Sequence, residues 1–155
     1  MKKINWKILV FSLLIVYLIA FLGSLFTSSS VNSDWYETIK PKLTPPNFVF
    51  PIVWNILFFL IAISLYIAWT SADRTERKIV FLVFGINLLL NLFWSFLYFG
   101  VKNPLFAFFE LIFLWLSILI MLIATYRINK TSLYLLLPYF VWVSFAGILN
   151  YLSAF

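Results

Sequence analysis

Two asparagines and two aromatic side chains recur at helical spacing inside an apolar stretch, Ile79–Phe99. Asn87 and Asn91 are four residues apart, Trp94 follows three residues later, and Tyr98 lies four beyond it. In a helix all four side chains fall on one face. An amide is costly in hydrocarbon unless it is hydrogen-bonded. This face therefore contacts either neighbouring helices, through interhelical hydrogen bonds, or a ligand in a cavity.

Glu110 is the one acidic residue inside an apolar stretch of this sequence. No lysine or arginine lies at a matching depth, and helical periodicity places Ser117 on the same face. An ionisable residue inside a membrane segment suggests a functional role. Two readings stay open: a protonated carboxyl group hydrogen-bonded to a neighbouring helix, or a site for protons or cations.

Aromatic residues near two other segments are candidates for a binding surface. Trp54 follows a proline-rich entry and is either an interfacial belt residue or the wall of a pocket. Trp142, Ala146 and Asn150 recur every four residues in the last segment. The small side chain of Ala146 permits the close approach of a helix or of a flat ligand.

The segments that must position these residues indicate a membrane protein. The chain is 65% hydrophobic and 10% charged, whereas a soluble domain has roughly 25% charged residues. Five apolar segments are each about 20 residues long, the length of a membrane-spanning helix. We predict an all-α integral membrane protein: a single domain over residues 1–155, a bundle of five transmembrane helices, and a long first loop as a lid. The predicted helices cover approximately residues 8–26, 48–69, 79–99, 105–126 and 133–155, with the loop at 27–46.

Charge and composition narrow the function further. Eight of the eleven basic residues share one side of the predicted bundle, which favours a cytoplasmic N-terminus. The basic residues do not cluster, so nucleic-acid binding is not expected. The chain has no cysteine and no histidine, which excludes disulfides and histidine metal ligands. We expect no metal site and no required cofactor. The eight residues are Lys2, Lys3, Lys7, Arg74, Arg77, Lys78, Arg127 and Lys130.

Four stretches together resemble the TspO/MBR family, which includes bacterial tryptophan-rich sensory proteins and the mitochondrial translocator protein. The stretches are WYETIKPKLTPPNFVFPIVW, NLLLNLFWSFLYFG, the acid in AFFELIFLW, and LLLPYFVWVSFAGILNY. Their order and spacing cover nearly the whole chain, and the 7 tryptophans also fit the family. The chain looks like a bacterial member, which implies a location in the bacterial cell membrane.

The resemblance implies a five-helix bundle, often dimeric, with a pocket under the first loop. Family ligands are flat and aromatic: porphyrins such as protoporphyrin IX and haem, and isoquinoline carboxamides and benzodiazepines. Some bacterial members are reported to degrade protoporphyrin IX in light, and Trp54 and Trp142 would then be the catalytic residues. The ligand-binding positions implied by the resemblance are Tyr36, Pro45, Trp54, Asn87, Asn91, Trp94, Trp142, Ala146 and Leu149.

The sequence departs from the family pattern at two places. Phe48 stands where many members have tryptophan. Leu149 and Tyr151 match the start of a cholesterol motif, but no basic residue follows them, so a cholesterol role is not expected. Without a histidine or cysteine ligand for iron, free-base porphyrin should suit the pocket at least as well as haem. The expected functions rank as tetrapyrrole sensor or regulator, light-dependent degradation, and tetrapyrrole transport.

Individual polar and small side chains receive further expected roles. Lys40 or Lys42 would pair with porphyrin propionates near the loop, and Asn87 would donate a hydrogen bond to a ligand carbonyl or carboxylate. Small residues in the first helix, Ala20, Gly23 and Ser24, are the first candidates for a dimer face.

Overall fold

The computed structural model describes residues 4–155; Lys2 and Lys3, two of the eight basic residues assigned to the cytoplasmic side, lie outside this range. Six α-helices and one π-helix account for most of the described chain. They are α1 (Trp6–Ser30), α2 (Asp34–Ile39), α3 (Val49–Ser71), α4 (Arg74–Ser95), the π-helix (Phe96–Gly100), α5 (Pro104–Ile128) and α6 (Lys130–Ala154). Five helices are long and apolar enough to cross a membrane, with the π-helix continuing α4 as the last turn of the third span. The predicted all-helical membrane bundle is confirmed.

Polar caps set the helix ends, which explains why the observed helices are longer than the apolar windows. Asp73 and Glu76 form a reciprocal capping box that starts α4 at Arg74, five residues before the predicted start. The side chain of Asn129 caps α6, so this residue alone separates α5 from α6. Hydrophobicity marks the membrane-embedded part of a helix, whereas its polar ends lie outside that window.

The predicted loop at 27–46 contains more helix than expected. α1 continues to Ser30, and the short helix α2 follows, with Ser33 accepting a hydrogen bond from the N–H of Tyr36. We call the segment from residue 31 to residue 48 the lid. Because α2 is too short to span a membrane and carries two acids in its first turn, hydrophobicity gave no signal for it.

The five long helices form a ring in which each packs on two others. α1 packs on α3 and α4, α3 also packs on α6, and α5 packs on α6 and α4. α1 lies close to α4 at Gly23, where a Cβ would be in van der Waals contact with Ser95 Oγ at 3.4 Å. Gly23 is buried within the chain, and Ala20 and Ser24 line the internal cavity described below. These small residues contribute to packing and to a cavity wall within the chain, and their role as a dimer face stays a prediction.

The π-helix holds the lid against the bundle. The Trp35 ring lies edge-on to Tyr98, with 6.1 Å between ring centroids, and the Tyr36 ring lies 5.7 Å from that of Phe99. Ser30 Oγ donates a hydrogen bond of 3.1 Å to the backbone oxygen of Phe99. A π turn inserts one residue into a helix and is often found at functional sites. Here it presents two adjacent buried aromatic rings to the lid.

Candidate functional site

A cavity of about 780 Å³ lies under the lid. This volume falls within the roughly 300–1,000 Å³ typical of small-molecule sites. Its walls come from α1, the lid, α3, the end of α4 with the π-helix, and α6. The predicted site residues that line it are Tyr36, Trp54, Asn91, Trp94, Trp142, Ala146 and Leu149. Pro45 and Asn87 are not among the lining residues.

Two tryptophans from different helices form aromatic walls of the cavity. The Trp54 ring packs 5.4 Å from the ring of Phe58 and edge-on to Tyr139 at 6.2 Å. The Trp142 ring lies 5.9 Å from that of Phe50 in an edge-on arrangement. Aromatic neighbours fix the planes of both indoles, since rings prefer tilted or edge-on geometry at these distances. Of the two positions considered for Trp54, an interfacial belt and a pocket wall, the structure shows it in the wall of the cavity.

The third tryptophan, Trp94, combines a cavity position with a structural bond. Its Nε1–H donates a 2.9 Å hydrogen bond to Asn150 Oδ1, and Asn150 in turn donates to the backbone oxygen of Pro104 at 2.8 Å. The Trp94 ring stacks on Tyr98 with 5.2 Å between centroids. This chain of contacts joins α4, α5 and α6, so the Trp94 ring can be a stacking surface while its N–H is already engaged.

Asn87 and Asn91 belong to one buried hydrogen-bond network. Asn87 Nδ2 donates to Ser117 Oγ at 2.8 Å, and Asn87 Oδ1 accepts from the Tyr139 hydroxyl at 3.2 Å. Asn91 Nδ2 donates to the same hydroxyl at 3.2 Å. The structure places Asn87 at the joint of α4, α5 and α6, with both ends of its amide engaged within the chain. This geometry favours interhelical bonding for Asn87, whereas Asn91 both bonds and lines the cavity.

Three polar atoms around the cavity are buried and have no hydrogen-bond partner within the described part of the chain. They are Thr44 Oγ1, Asn47 Oδ1 and Trp142 Nε1, and all three residues line the cavity. Buried polar atoms are nearly always hydrogen-bonded in native proteins. A hydroxyl group and an amide oxygen in the lid, together with one indole N–H, therefore mark positions where a polar group of a ligand would gain a hydrogen bond. Thr44 and Asn47 were not predicted from the sequence; their only signal is their place in the TPPN turn.

Two lysines in and beside the lid already make contacts within the chain. Lys40 forms a 2.7 Å ion pair with Glu37, and its ammonium lies 5.7 Å from the Tyr36 ring centroid. The ammonium of Lys102 lies 5.6 Å from the Trp35 ring centroid. Burial of Tyr36 raises the pKa of its phenol well above the ordinary value of 10.0, with the neighbouring Tyr98 and Glu37 adding to the shift. The lid is thus docked with its tyrosine neutral.

Glu110 stays outside the cavity lining. It is 6% exposed, and both carboxylate oxygens are buried with no hydrogen-bond partner among residues 4–155. The described side chains therefore provide no hydrogen bond to Glu110, whether it acts as a protonated carboxyl group or as a site for protons or cations.

Five spanning helices around an aromatic-walled cavity, with a docked lid, define an integral membrane protein with an internal small-molecule-sized site. The chain matches the TspO/MBR family over residues 11–154, and it belongs to this family.

Several named relatives are similar along most of the chain. The tryptophan-rich protein TspO of Archaeoglobus fulgidus is 42% identical over 144 residues, which cover 92% of both chains. The tryptophan-rich protein TspO of Chlorobaculum tepidum is 38% identical, covering 86% of this chain and 85% of the relative. The human translocator protein is 29% identical, covering 84% and 79%. The resemblance inferred from four sequence stretches is confirmed.

Proposed function

We propose that the protein binds porphyrins, protoporphyrin IX first among them, in the cavity and acts as a tetrapyrrole sensor or regulator. The main support is that one cavity combines two indole walls, Trp54 and Trp142, with three buried polar atoms that have no hydrogen-bond partner among the described residues. A porphyrin is an apolar disc with a polar edge, so it can stack on indoles while its edge accepts or donates hydrogen bonds. Isoquinoline carboxamides and benzodiazepines combine flat rings and carbonyl groups in a similar way.

The names of three relatives agree with a ligand-responsive role. A relative in Cereibacter sphaeroides, 27% identical over 119 residues, is named a tryptophan-rich sensory protein. Translocator proteins of cattle and humans are also similar to this chain. These names support the sensing or movement of a ligand, and the lining of the cavity provides the aromatic and polar groups that would bind it.

Binding is tested by titrating the purified protein with protoporphyrin IX and following tryptophan fluorescence. We expect saturable quenching. The dissociation constant should rise about fivefold or more in Trp142→Phe, because the indole N–H and part of the ring surface are lost. Trp6→Phe is the matched control, since Trp6 is 65% exposed and does not line the cavity. Quenching that never saturates, or that falls equally in both variants, would contradict binding in the cavity.

Light-dependent degradation of protoporphyrin IX is the second candidate, favoured by the placement of Trp54 and Trp142 in one cavity. An excited porphyrin can oxidise a nearby indole or pass energy to dioxygen. In the second route both oxygen atoms add across one C=C bond of the macrocycle, which opens to two carbonyls without an external reductant. A defined product that requires light, dioxygen and both tryptophans would establish this activity; bleaching equal to that of free porphyrin would exclude it.

We further propose a homodimer in the cell membrane with a cytoplasmic N-terminus. The support for orientation is the excess of basic residues at one end of the bundle, where α1, α4 and α6 begin. Thiol labelling of single cysteines placed at Ser71 and Thr38 in intact cells tests the orientation. Only the Thr38 position should react with an impermeant reagent, and the reverse pattern would overturn the assignment.

A further inference from the structure

The residues that line the cavity differ in how exposed they are. Six exposed lining residues fall on two helical stretches, at positions i, i+3 and i+7 on each. They are Phe21, Ser24 and Ser28 on α1, and Phe48, the N-cap of α3 at the end of the lid, with Pro51 and Asn55 on α3. This spacing places each set of three along one stripe of its helix. The two stripes border the space between α1 and α3, which we call the α1–α3 gap.

The other walls of the cavity are closed. Among the lining residues, Tyr36 of the lid, Asn91 of α4 and Leu149 of α6 are each less than 10% exposed. Only Asn32, beside the upper end of the gap, joins the six as an exposed lining residue. The exposed part of the cavity wall is therefore concentrated at the α1–α3 gap, on the sides of two membrane-spanning helices.

Hydrogen bonds close the gap at its two ends. At the lower end, the Tyr17 hydroxyl donates to the backbone oxygen of Asn55 at 3.2 Å. At the upper end, Asn47 Nδ2 donates to the backbone oxygen of Val31 and to Asn32 Oδ1, each at 3.2 Å. Between these contacts, no hydrogen bond among the described residues joins α1 to α3. The gap extends about 12 Å along α3 and about 21 Å along α1, at 1.5 Å per residue.

The lid side is held by a larger set of contacts. Trp35 and Tyr36 pack against the rings of Tyr98 and Phe99, and the Lys102 ammonium lies over the Trp35 ring. Passage of a ligand beneath the lid would separate these aromatic surfaces and expose Tyr36. Passage through the α1–α3 gap would separate part of the packed faces of α1 and α3 and break the hydrogen bonds at the ends of the gap, but it would leave the aromatic contacts of the lid in place.

We propose that the α1–α3 gap is a lateral portal through which the ligand enters the cavity directly from the bilayer. This inference rests on the proposed function, because a flat apolar ligand such as a porphyrin concentrates in the membrane before it meets the protein. It enters edge-on between the two helices, and the Asn47 and Tyr17 hydrogen bonds limit how far the helices separate. The lid then serves as a fixed roof rather than as the entrance.

Covalent closure of the upper end tests the portal in a chain that has no cysteine of its own. Asn32→Cys/Asn47→Cys is joined with a short bis-methanethiosulfonate that dithiothreitol cleaves. Proteoliposomes are mixed rapidly with protoporphyrin IX, which partitions into the bilayer first, and its association with the protein is followed by stopped-flow quenching. We expect cross-linking to slow association about tenfold or more, and reduction to restore it.

The matched control joins the lid to the bundle. Trp35 and Lys102 are in contact and neither lines the cavity. Cross-linked Trp35→Cys/Lys102→Cys should change the association rate by less than about twofold. Slow association in this control, with normal association in the first pair, would overturn the portal and make the lid the entrance.

A second variant guards against a cross-link that also restrains the lid. Ser24→Trp places a large ring in the middle of the gap, and Ser29→Trp places the same ring at an exposed position of α1 outside the cavity lining. Association and dissociation should both slow in Ser24→Trp relative to Ser29→Trp. Equal rates in the two variants would overturn the portal.

The wild-type measurement separates the two proposals. Saturable quenching without any effect of closing the gap rejects the portal and leaves porphyrin binding intact. No saturable quenching by the wild-type protein rejects the proposed function and the portal with it.

Discussion

The two sides of the bundle treat polar side chains differently. Where α4, α5 and α6 meet, Asn87, Tyr139 and Asn150 are fully buried, and each is hydrogen-bonded to a side chain from another helix. Around the cavity, Thr44, Asn47 and Trp142 each keep one buried polar atom without a partner in the described chain. The first side is a structural joint. The second has the unfilled hydrogen-bonding capacity expected of a binding site.

Similar substitutions should therefore have different effects at the joint of α4, α5 and α6 and around the cavity. Loss of a polar group at the joint should lower stability, because its partners remain buried and unbonded. Loss of one around the cavity should lower ligand affinity and leave stability nearly unchanged. Glu110 is the exception, since it lies outside the cavity lining, yet neither of its carboxylate oxygens has a hydrogen-bond partner within residues 4–155.

Tyr139→Phe should have the largest effect. Its hydroxyl accepts from Asn91 and donates to Asn87, so its removal leaves two buried amide groups without that partner. We expect the free energy of unfolding in detergent to fall by about 2 kcal/mol. Tyr134→Phe, at a position 60% exposed on the same helix, is the control. Equal stability of the two variants would remove the distinction between joint and cavity.

Glu110→Leu should raise stability by about 1 kcal/mol, because a buried carboxyl group without partners is replaced by an apolar side chain of similar size. Chemical unfolding in micelles, compared with Glu110→Gln, measures the change. A less stable leucine variant would show that the carboxyl group has a partner, and would place Glu110 with the joint.

Thr44→Val should lower protoporphyrin IX affinity about fivefold while leaving the unfolding midpoint unchanged. The removed hydroxyl is buried and unpartnered, so the folded chain loses no bond of its own. Thr38→Val, whose hydroxyl bonds to the backbone oxygen of Trp35 outside the cavity lining, is the control. A drop in stability without a change in affinity would assign Thr44 to the structure of the lid.

Tyr36→Phe should have the smallest effect, visible only in alkali. Burial raises the pKa of Tyr36 above the ordinary 10.0, so the folded protein favours the neutral phenol. That stabilisation is complete below pH about 10 and is lost as the pH rises above it, since the unfolded chain ionises first. The wild type should lose more stability than Tyr36→Phe between pH about 9 and 11. Parallel pH profiles would contradict this assignment.

Hydrophobic length was sufficient to predict five spanning helices, and helical spacing was sufficient to group Asn87, Asn91 and Trp94. The hydrogen-bond partners of Asn87 could not be predicted from the sequence, because Ser117 and Tyr139 lie 30 and 52 residues away on other helices. Spacing says that an amide needs a partner, but only packing decides whether that partner is a side chain or a ligand.

Two local features also escaped prediction. The lid helix α2 has six residues and depends on the Ser33 cap and on its docked position. The π-helix arises from one residue more than a regular helix requires, which neither hydrophobicity nor helix propensity detects. The unpartnered atoms of Thr44 and Asn47 depend in turn on how the lid covers the cavity.

The extra residue in the π-helix has a consequence for how sequence length can vary in this protein. A helix advances about 100° per residue, so deleting one residue between Phe96 and Gly100 would rotate everything before the deletion relative to α5. Tyr98 and Phe99 could no longer both meet the lid, and the carbonyl bound by Ser30 would turn away. We therefore expect the fold not to tolerate a single-residue deletion in this turn, whereas the exposed turn around Lys42 and Leu43 can tolerate one.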